Sequence, residues 1–228
     1  VIERLLPASV VAVEAIGAAA ADPATEAGLY PEELAVITKA VAKRRREFAT
    51  VRACARQAME KLGVAPRPIL PGERGAPGWP EGLRGSMTHC AGYCAAALVR
   101  TADLASLGID AEPHDTLPEG VQAAIALPSE TERLAALTAE RPGIHWDRLL
   151  FSAKESVYKA WFPLTAKWLD FSEADIVLTP VESAFGTLSA TLLVPGPVVD
   201  GREVTRFEGH WIVRDGLLAT AITVPHTG

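Results

Sequence analysis

An α+β fold of two similar halves, meeting near residue 105 with a cleft between them, is what this sequence predicts, and three observations carry the prediction. Charged stretches with helical start and stop signals alternate with short apolar runs bounded by Gly and Pro. At 228 residues and 49% hydrophobic content, the chain is long enough for one sizeable domain or two small ones sharing a core. GYCAAAL, from Gly92, and GLLATAI, from Gly216, share the glycine, two alanine positions and an aliphatic end. Each follows a charged helical segment, RREF or AKES, as an internal repeat would. The expected halves are 1–105, with the basic helix, and 106–228.

Taken in order, LLPASVVAVEA reads as a strand. The opening imitates a secretion signal, but Glu3 and Glu14 interrupt its apolar run, so it is assigned to the mature fold. The segment from Pro31 to Gly63 reads as one long helical stretch, opened by the proline and closed by the glycine. Residues 64–85, rich in Pro and Gly, read as a loop. SMTHCAGYCAAALVR and SLGIDAEP follow with strand grammar. LPEGVQAAIALPSETERLAAL reads as one or two helices, and HWDRLLFSAKESVYKAWFPLT as a helix ending near Pro163. The tail from DIVLTP to AITVP reads as strands and turns, including Arg214-Asp215-Gly216.

Charge and cysteine usage exclude several classes. A net charge of -6 argues against general nucleic-acid binding, although KRRR at 43–46, with Arg52 and Arg56, leaves local anion binding open. Cys54, Cys90 and Cys94 make neither an even set nor a CxxC pair, and the five histidines lack zinc-ligand spacing. These are the reduced thiols of a cytoplasmic protein. No apolar run approaches the roughly 20 residues of a spanning helix.

Four clusters bear on chemistry. In GIDAEPH, Asp110 and Glu112 share one face of a strand while Ile109 and Ala111 take the other. Two like charges so close fit either a strand end emerging into water or a site with a cation between them. Glu155 and Lys159 of FSAKESVYKAW are four apart, as in a surface ion pair, yet Phe151, Val157, Tyr158 and Trp161 crowd the same helix. Arg44 and Arg52 lie about two turns apart on a basic helix, a solvated charge run or a phosphate clamp. Ser86, Thr88 and His89 follow the glycine-rich loop, His89 being either a structural histidine or a site residue. Together the carboxylates form a hard oxygen site suited to Mg2+, and the cations suit more than one phosphate. A multiply phosphorylated nucleotide bound with Mg2+ is the expected ligand.

RREFATVRACAR, GAPGWPEGLRGSMTHCAGY, LGIDAEPH and HWDRLLFSAKESVYKAWFPLT, in this order, resemble the motifs of 4'-phosphopantetheinyl transferases of the surfactin/enterobactin type, nearest to actinobacterial members. The resemblance covers about 40–170. It implies two pseudo-symmetric α+β halves with coenzyme A between them. It also implies transfer of phosphopantetheine to a serine of an acyl or peptidyl carrier protein, with release of adenosine 3',5'-bisphosphate. By motif, Asp110, Glu112 and Glu155 are the implied Mg2+ ligands and Glu155 the implied base. Lys154 and Lys159 are implied to neutralise the diphosphate, and Arg44, Arg52 and His89, with Ser86 and Thr88 nearby, to hold the 3'-phosphate end. Pro71 stands where relatives often carry lysine, with Arg74 the expected substitute. Cys94 stands where they commonly have arginine, at a strand position outside the metal set. The contrasting reading, a coenzyme A-binding module without catalysis, leaves Glu155 without a use. A nucleic-acid-binding protein built on KRRR predicts no metal requirement and conflicts with the acidic balance. Apolar residues around Trp161, Phe162 and Leu164 are a possible carrier-docking patch, or core. A monomer is expected, since one chain supplies both cleft walls.

Overall fold

The computed structural model describes residues 1–228. One antiparallel sheet, in the order β1-β3-β2, comprises β1 (Val11–Ile16), β2 (Leu83–Cys90) and β3 (Tyr93–Arg100). The other, in the order β4-β10-β9-β6-β5, comprises β4 (Ser106–Pro113), β5 (Ala174–Pro180), β6 (Phe185–Leu192), β9 (Arg206–Arg214) and β10 (Leu217–Val224). β7 (Val198–Val199) and β8 (Arg202–Glu203) form a separate small hairpin. The helices are α1 (Pro31–Val36), α2 (Ala42–Lys61), α3 (Val121–Ile125), α4 (Pro128–Glu140) and α5 (Trp146–Thr165). No helix is long and apolar enough to cross a membrane.

The two-residue period of β3 explains the layering. Ala96 and Leu98 pack with Cys54, Ala55, Ala58 and Met59 of α2. Tyr93, Ala95, Ala97 and Val99 point the other way, into a cluster shared with Leu107, Ile109 and Ala111 of β4 and Leu217, Ala219 and Ala221 of β10. On the far face of β10, Leu218 and Ile222 join Leu149, Ala153 and Val157 of α5. The layers therefore run helix, sheet, sheet, helix, and the apolar layer in the middle belongs to both sheets.

The sequence echo has a structural counterpart. Gly92 and Gly216 complete the turns of the β2–β3 and β9–β10 hairpins with φ of 73° and 75°, a region that glycine enters without steric cost. Each opens a strand that lies inside its sheet, between β1 and β2 or between β4 and β9. Against each strand packs a helix of 20 residues, α2 or α5.

Four element boundaries differ from expectation. The single helix expected from Pro31 to Gly63 is broken, because Ile37 turns inward to Leu29, Phe48 and Ala49. The Thr38 hydroxyl then takes up the carbonyls of Leu34 (3.1 Å) and Ala35 (3.2 Å), so α1 closes without continuing into α2. The loop expected to reach residue 85 gives way to β2 at Leu83. α5 runs through Pro163 to Thr165 and stops at Ala166, whose φ is 53°. A proline so near a helix end removes only one late hydrogen bond. At the beginning of the chain, the strand expected over 5–15 forms as Val11–Ile16, and Ile2–Leu5 is a 3-10 turn that buries Ile2 and Leu5.

Candidate active site

A cleft of about 790 Å³ opens between α2, the 71–79 loop, β2 and α5. It is lined by Arg44, Arg52, Arg74, Ser86, His89, Glu155 and Lys159, so both long helices contribute. Tyr158, one of the aromatics that crowd this helix, also lines it, with its hydroxyl buried and unpartnered.

Asp110 is buried on β4, facing α5, opposite in direction to Ile109 and Ala111 as strand alternation requires. Its Oδ1 accepts from Lys159 Nζ at 2.9 Å, while Lys159 also donates to the Ile109 carbonyl at 2.9 Å. Lys159 is therefore paired with Asp110 rather than with Glu155. Glu112 accepts from Arg148 Nη1 at 3.0 Å. Burial pushes the Glu155 carboxyl up, Lys159 opposes this, and the like charges of Asp110 and Glu112 add to it. Burial and Asp110 push Glu112 up as well, against the pull of Arg148.

The three carboxylates do not close into a ligand cage in this structure. Their chemistry nonetheless fits a hard divalent cation. Asp110 Oδ2 is buried without any hydrogen-bond partner, an arrangement that is costly for a carboxylate unless something positive completes it. Burial first, and then the like charge of Asp110, raises both Glu112 and Glu155, so an added positive charge would relieve the cluster.

The cationic side is less uniform. Arg44 Nη1 donates to His89 Nε2 at 2.7 Å, and His89 Nδ1 faces Glu47 at 3.5 Å. Burial lowers the His89 pKa, Glu47 opposes it and Arg44 reinforces it. Arg52 lines the cleft but is itself buried, stacked 3.3 Å from the Phe48 ring centroid and donating to the Ile69 carbonyl at 2.8 Å. Burial pushes its pKa down to about 10, with Glu33 acting against the shift. Arg74 stands at φ 53° with its guanidinium 5.5 Å from the Trp168 ring, bridging the loop to the chain after α5.

Three expectations are corrected. Lys154 does not reach the cleft wall: its ammonium donates to Glu130 (2.8 Å) and to the carbonyls of Phe171 (2.6 Å) and Ala174 (2.7 Å), using all three donors. Helix geometry explains this, because residues five apart diverge by about 140°, so Lys154 and Lys159 cannot share a face. Thr88 is buried and off the cleft; its hydroxyl accepts from Ala111 N at 3.0 Å and donates to Asp110 Oδ1 at 3.4 Å. Ser86, although on the wall, is likewise occupied in accepting from Ile109 N at 3.0 Å. Of the apolar residues read as either docking patch or core, Trp161 is in the core, Phe162 lines the cleft, and Leu164 is half-buried against the core.

Lys154→Met should therefore cost stability rather than coenzyme binding. It would strand Glu130, which is 1% exposed, and removing one partner of a buried pair costs about 3–5 kcal/mol. Chemical denaturation measures this; a weaker coenzyme A affinity at unchanged stability would restore Lys154 to the phosphate site.

Residues 32–99 match the family model described as the 4'-phosphopantetheinyl transferase N-terminal domain, and residues 106–194 that of the 4'-phosphopantetheinyl transferase superfamily. The chain belongs to this superfamily, and its α+β fold and enzyme class follow from it. Among its relatives is 4'-phosphopantetheinyl transferase Svp of Streptomyces mobaraensis, 57% identical over 98% of this chain and 89% of the relative. 4'-Phosphopantetheinyl transferase PptT of Mycobacterium tuberculosis is 49% identical over 85% of each chain. 4'-Phosphopantetheinyl transferase Npt of Nocardia iowensis is 46% identical over 97% of this chain and 98% of the relative. This chain is a 4'-phosphopantetheinyl transferase.

Proposed function

We propose that the enzyme uses Mg2+ to move the phosphopantetheine arm of coenzyme A onto a serine of an apo acyl or peptidyl carrier protein, releasing adenosine 3',5'-bisphosphate. The observation that carries the metal reading is the orphaned, buried Oδ2 of Asp110 beside two further carboxylates. Asp110, Glu112 and Glu155 would hold Mg2+, which supplies charge neutralisation at the diphosphate when bound. In this reading the halves 1–105 and 106–228 form the two sides of the coenzyme A cleft. The protein works as a cytoplasmic monomer, in keeping with its three free thiols and a cleft walled by one chain.

The chain's own groups divide the work. Arg44, His89 and Arg52 lie together on the α2 side and suit the 3'-phosphate end, with Arg74 closing the loop side. Lys159 stands across the cleft, where its ammonium can leave Asp110 for a phosphate oxygen. The serine oxygen forms a bond to the pantetheine-side phosphorus as the bond from that phosphorus to the bridging oxygen breaks, so the adenosine bisphosphate departs with the electron pair. Glu155, which lines the cleft beside Lys159, takes the serine proton. Holding the reactants in line supplies much of the remaining acceleration.

The decisive test incubates the protein with coenzyme A, Mg2+ and apo carrier proteins of fatty-acid, polyketide and nonribosomal peptide type, and reads the carrier mass. A phosphopantetheine increment is expected; its absence from every carrier would overturn the reading. Arg44→Ala should raise the KM for coenzyme A about tenfold, the scale of one lost charge-assisted hydrogen bond, with kcat little changed. An unchanged KM would remove Arg44 from the phosphate clamp.

A further inference from the structure

The carboxylate site has a neighbour that the reaction scheme leaves unused. Arg148, in the first turn of α5, donates Nη1 to Glu112 Oε2 at 3.0 Å, Nε to the Asp115 carbonyl at 3.2 Å and Nη2 to the Thr116 carbonyl at 2.6 Å. The adjacent Asp147 accepts from Leu117 N at 2.9 Å, so the start of α5 grips the chain just after β4 at consecutive residues. Arg148, Glu155 and Lys159 are seven and four residues apart, which places them within about 40° of one another around the helix. One face of α5 thus presents cation, anion and cation to the two carboxylates of β4.

The two cations are held differently. Lys159 has two partners, Asp110 and one carbonyl, on a flexible stem that can swing to a ligand. Arg148 is a planar fork whose two other arms are fixed by backbone carbonyls, so it cannot follow a phosphate without releasing the 115–116 segment. It engages one oxygen of Glu112 and leaves Oε1 without a hydrogen bond from it. A residue that orients a ligand carboxylate through one oxygen is the usual outer partner of a metal site, and losing such a partner typically weakens metal binding about 10–100-fold.

We propose that Arg148 is a positioning residue for the divalent-cation site: it holds Glu112 by Oε2 so that Oε1 is presented towards Asp110 and Glu155. This rests on the Mg2+ reading above. The alternative roles for Arg148 predict different results. As a plain counter-charge it would repel the cation, and its loss would tighten binding; as a structural staple for the 115–117 segment it would affect stability and leave metal affinity alone.

The test titrates the full chain, with one equivalent of coenzyme A present, with Mn2+, following the free-ion electron paramagnetic resonance signal. It compares wild type, Arg148→Lys, Arg148→Gln, Glu112→Gln and the Glu112→Gln/Arg148→Lys double variant, with thermal melting to select folded protein. Arg148→Lys, which keeps the charge but loses the fork, is expected to weaken Mn2+ binding about tenfold, and Arg148→Gln to do no better. In the Glu112→Gln background Arg148→Lys should have no further effect on Mn2+ affinity. Unchanged affinity in both Arg148 variants, tighter binding in Arg148→Gln, or an equal loss with Glu112 already removed would each overturn the proposal. A wild type that binds no Mn2+ would overturn the metal reading and this inference with it, whereas a wild type that binds normally beside unaffected variants would overturn this inference alone.

Discussion

Glu155→Gln is expected to reduce carrier modification by about three orders of magnitude while leaving the melting temperature close to that of the wild type. The side chain keeps its volume but loses its charge and its basicity. General-base catalysis alone contributes about 10²–10⁴-fold, and removing one carboxylate from a cation site subtracts further charge stabilisation. The fold should survive, because Glu155 lies at the cleft, only partly buried, and makes no ion pair with any residue of the chain. Single-turnover mass spectrometry of a carrier protein gives the rate, and calorimetry the stability. Transfer at the wild-type rate would remove Glu155 both as base and as ligand.

Gly108→Ala is the second large effect, and it acts on the fold. A Cβ at this position of β4 would lie 2.0 Å from the Ser156 carbonyl oxygen and 2.7 Å from the Ala160 nitrogen, both backbone atoms of α5. The helix would have to move off the strand. Overpacking of this kind costs about 3 kcal/mol or more, since rigid backbone cannot rotate away as a side chain can. For a chain of this size that corresponds to a fall in Tm of roughly 6–12 °C. Activity should fall further than stability explains, because the Lys159–Asp110 contact spans the same interface. Gly143→Ala, where nothing lies within 4 Å of the added carbon, is the matched control. A Gly108→Ala protein with an unaltered Tm would show that α5 does not need its close seat on β4.

What could be read from the sequence followed the periodicities. The alternation in GIDAEPH placed Asp110 and Glu112 together, and the glycines at 92 and 216 marked two hairpins that do occupy similar places. The family motifs supplied the order of the parts. Lys154 and Lys159 look equivalent in the motif, but a five-residue separation on a helix sends them to different sides. The same arithmetic, applied to Arg148, Glu155 and Lys159, would have found Arg148. Glu130 carried no such signal: that it meets Lys154, caps α4 at Leu127 N (2.8 Å) and accepts from Ile176 N (2.8 Å) depends on chain segments 46 residues apart. The break at Ile37 has no proline or glycine to mark it; it combines the packing of Ile37 on Leu29, Phe48 and Ala49 with the Thr38 hydroxyl on the last carbonyls of α1.

The hydroxyls of Ser86 and Thr88 meet β4 in an unusual way, accepting from Ile109 N and Ala111 N where a backbone ladder would normally run. Their two-residue spacing equals that of the donors they meet, so this pair works as a vernier between the sheets. A slip of one residue would set the thioether of Met87 against an amide and leave that amide unsatisfied. Asp110 sits between the two matched amides, and its position relative to the arginines of α2 is therefore indexed by atoms of the opposite sheet. Substituting both hydroxyls would leave the two cores intact and the alignment between them without a reference mark.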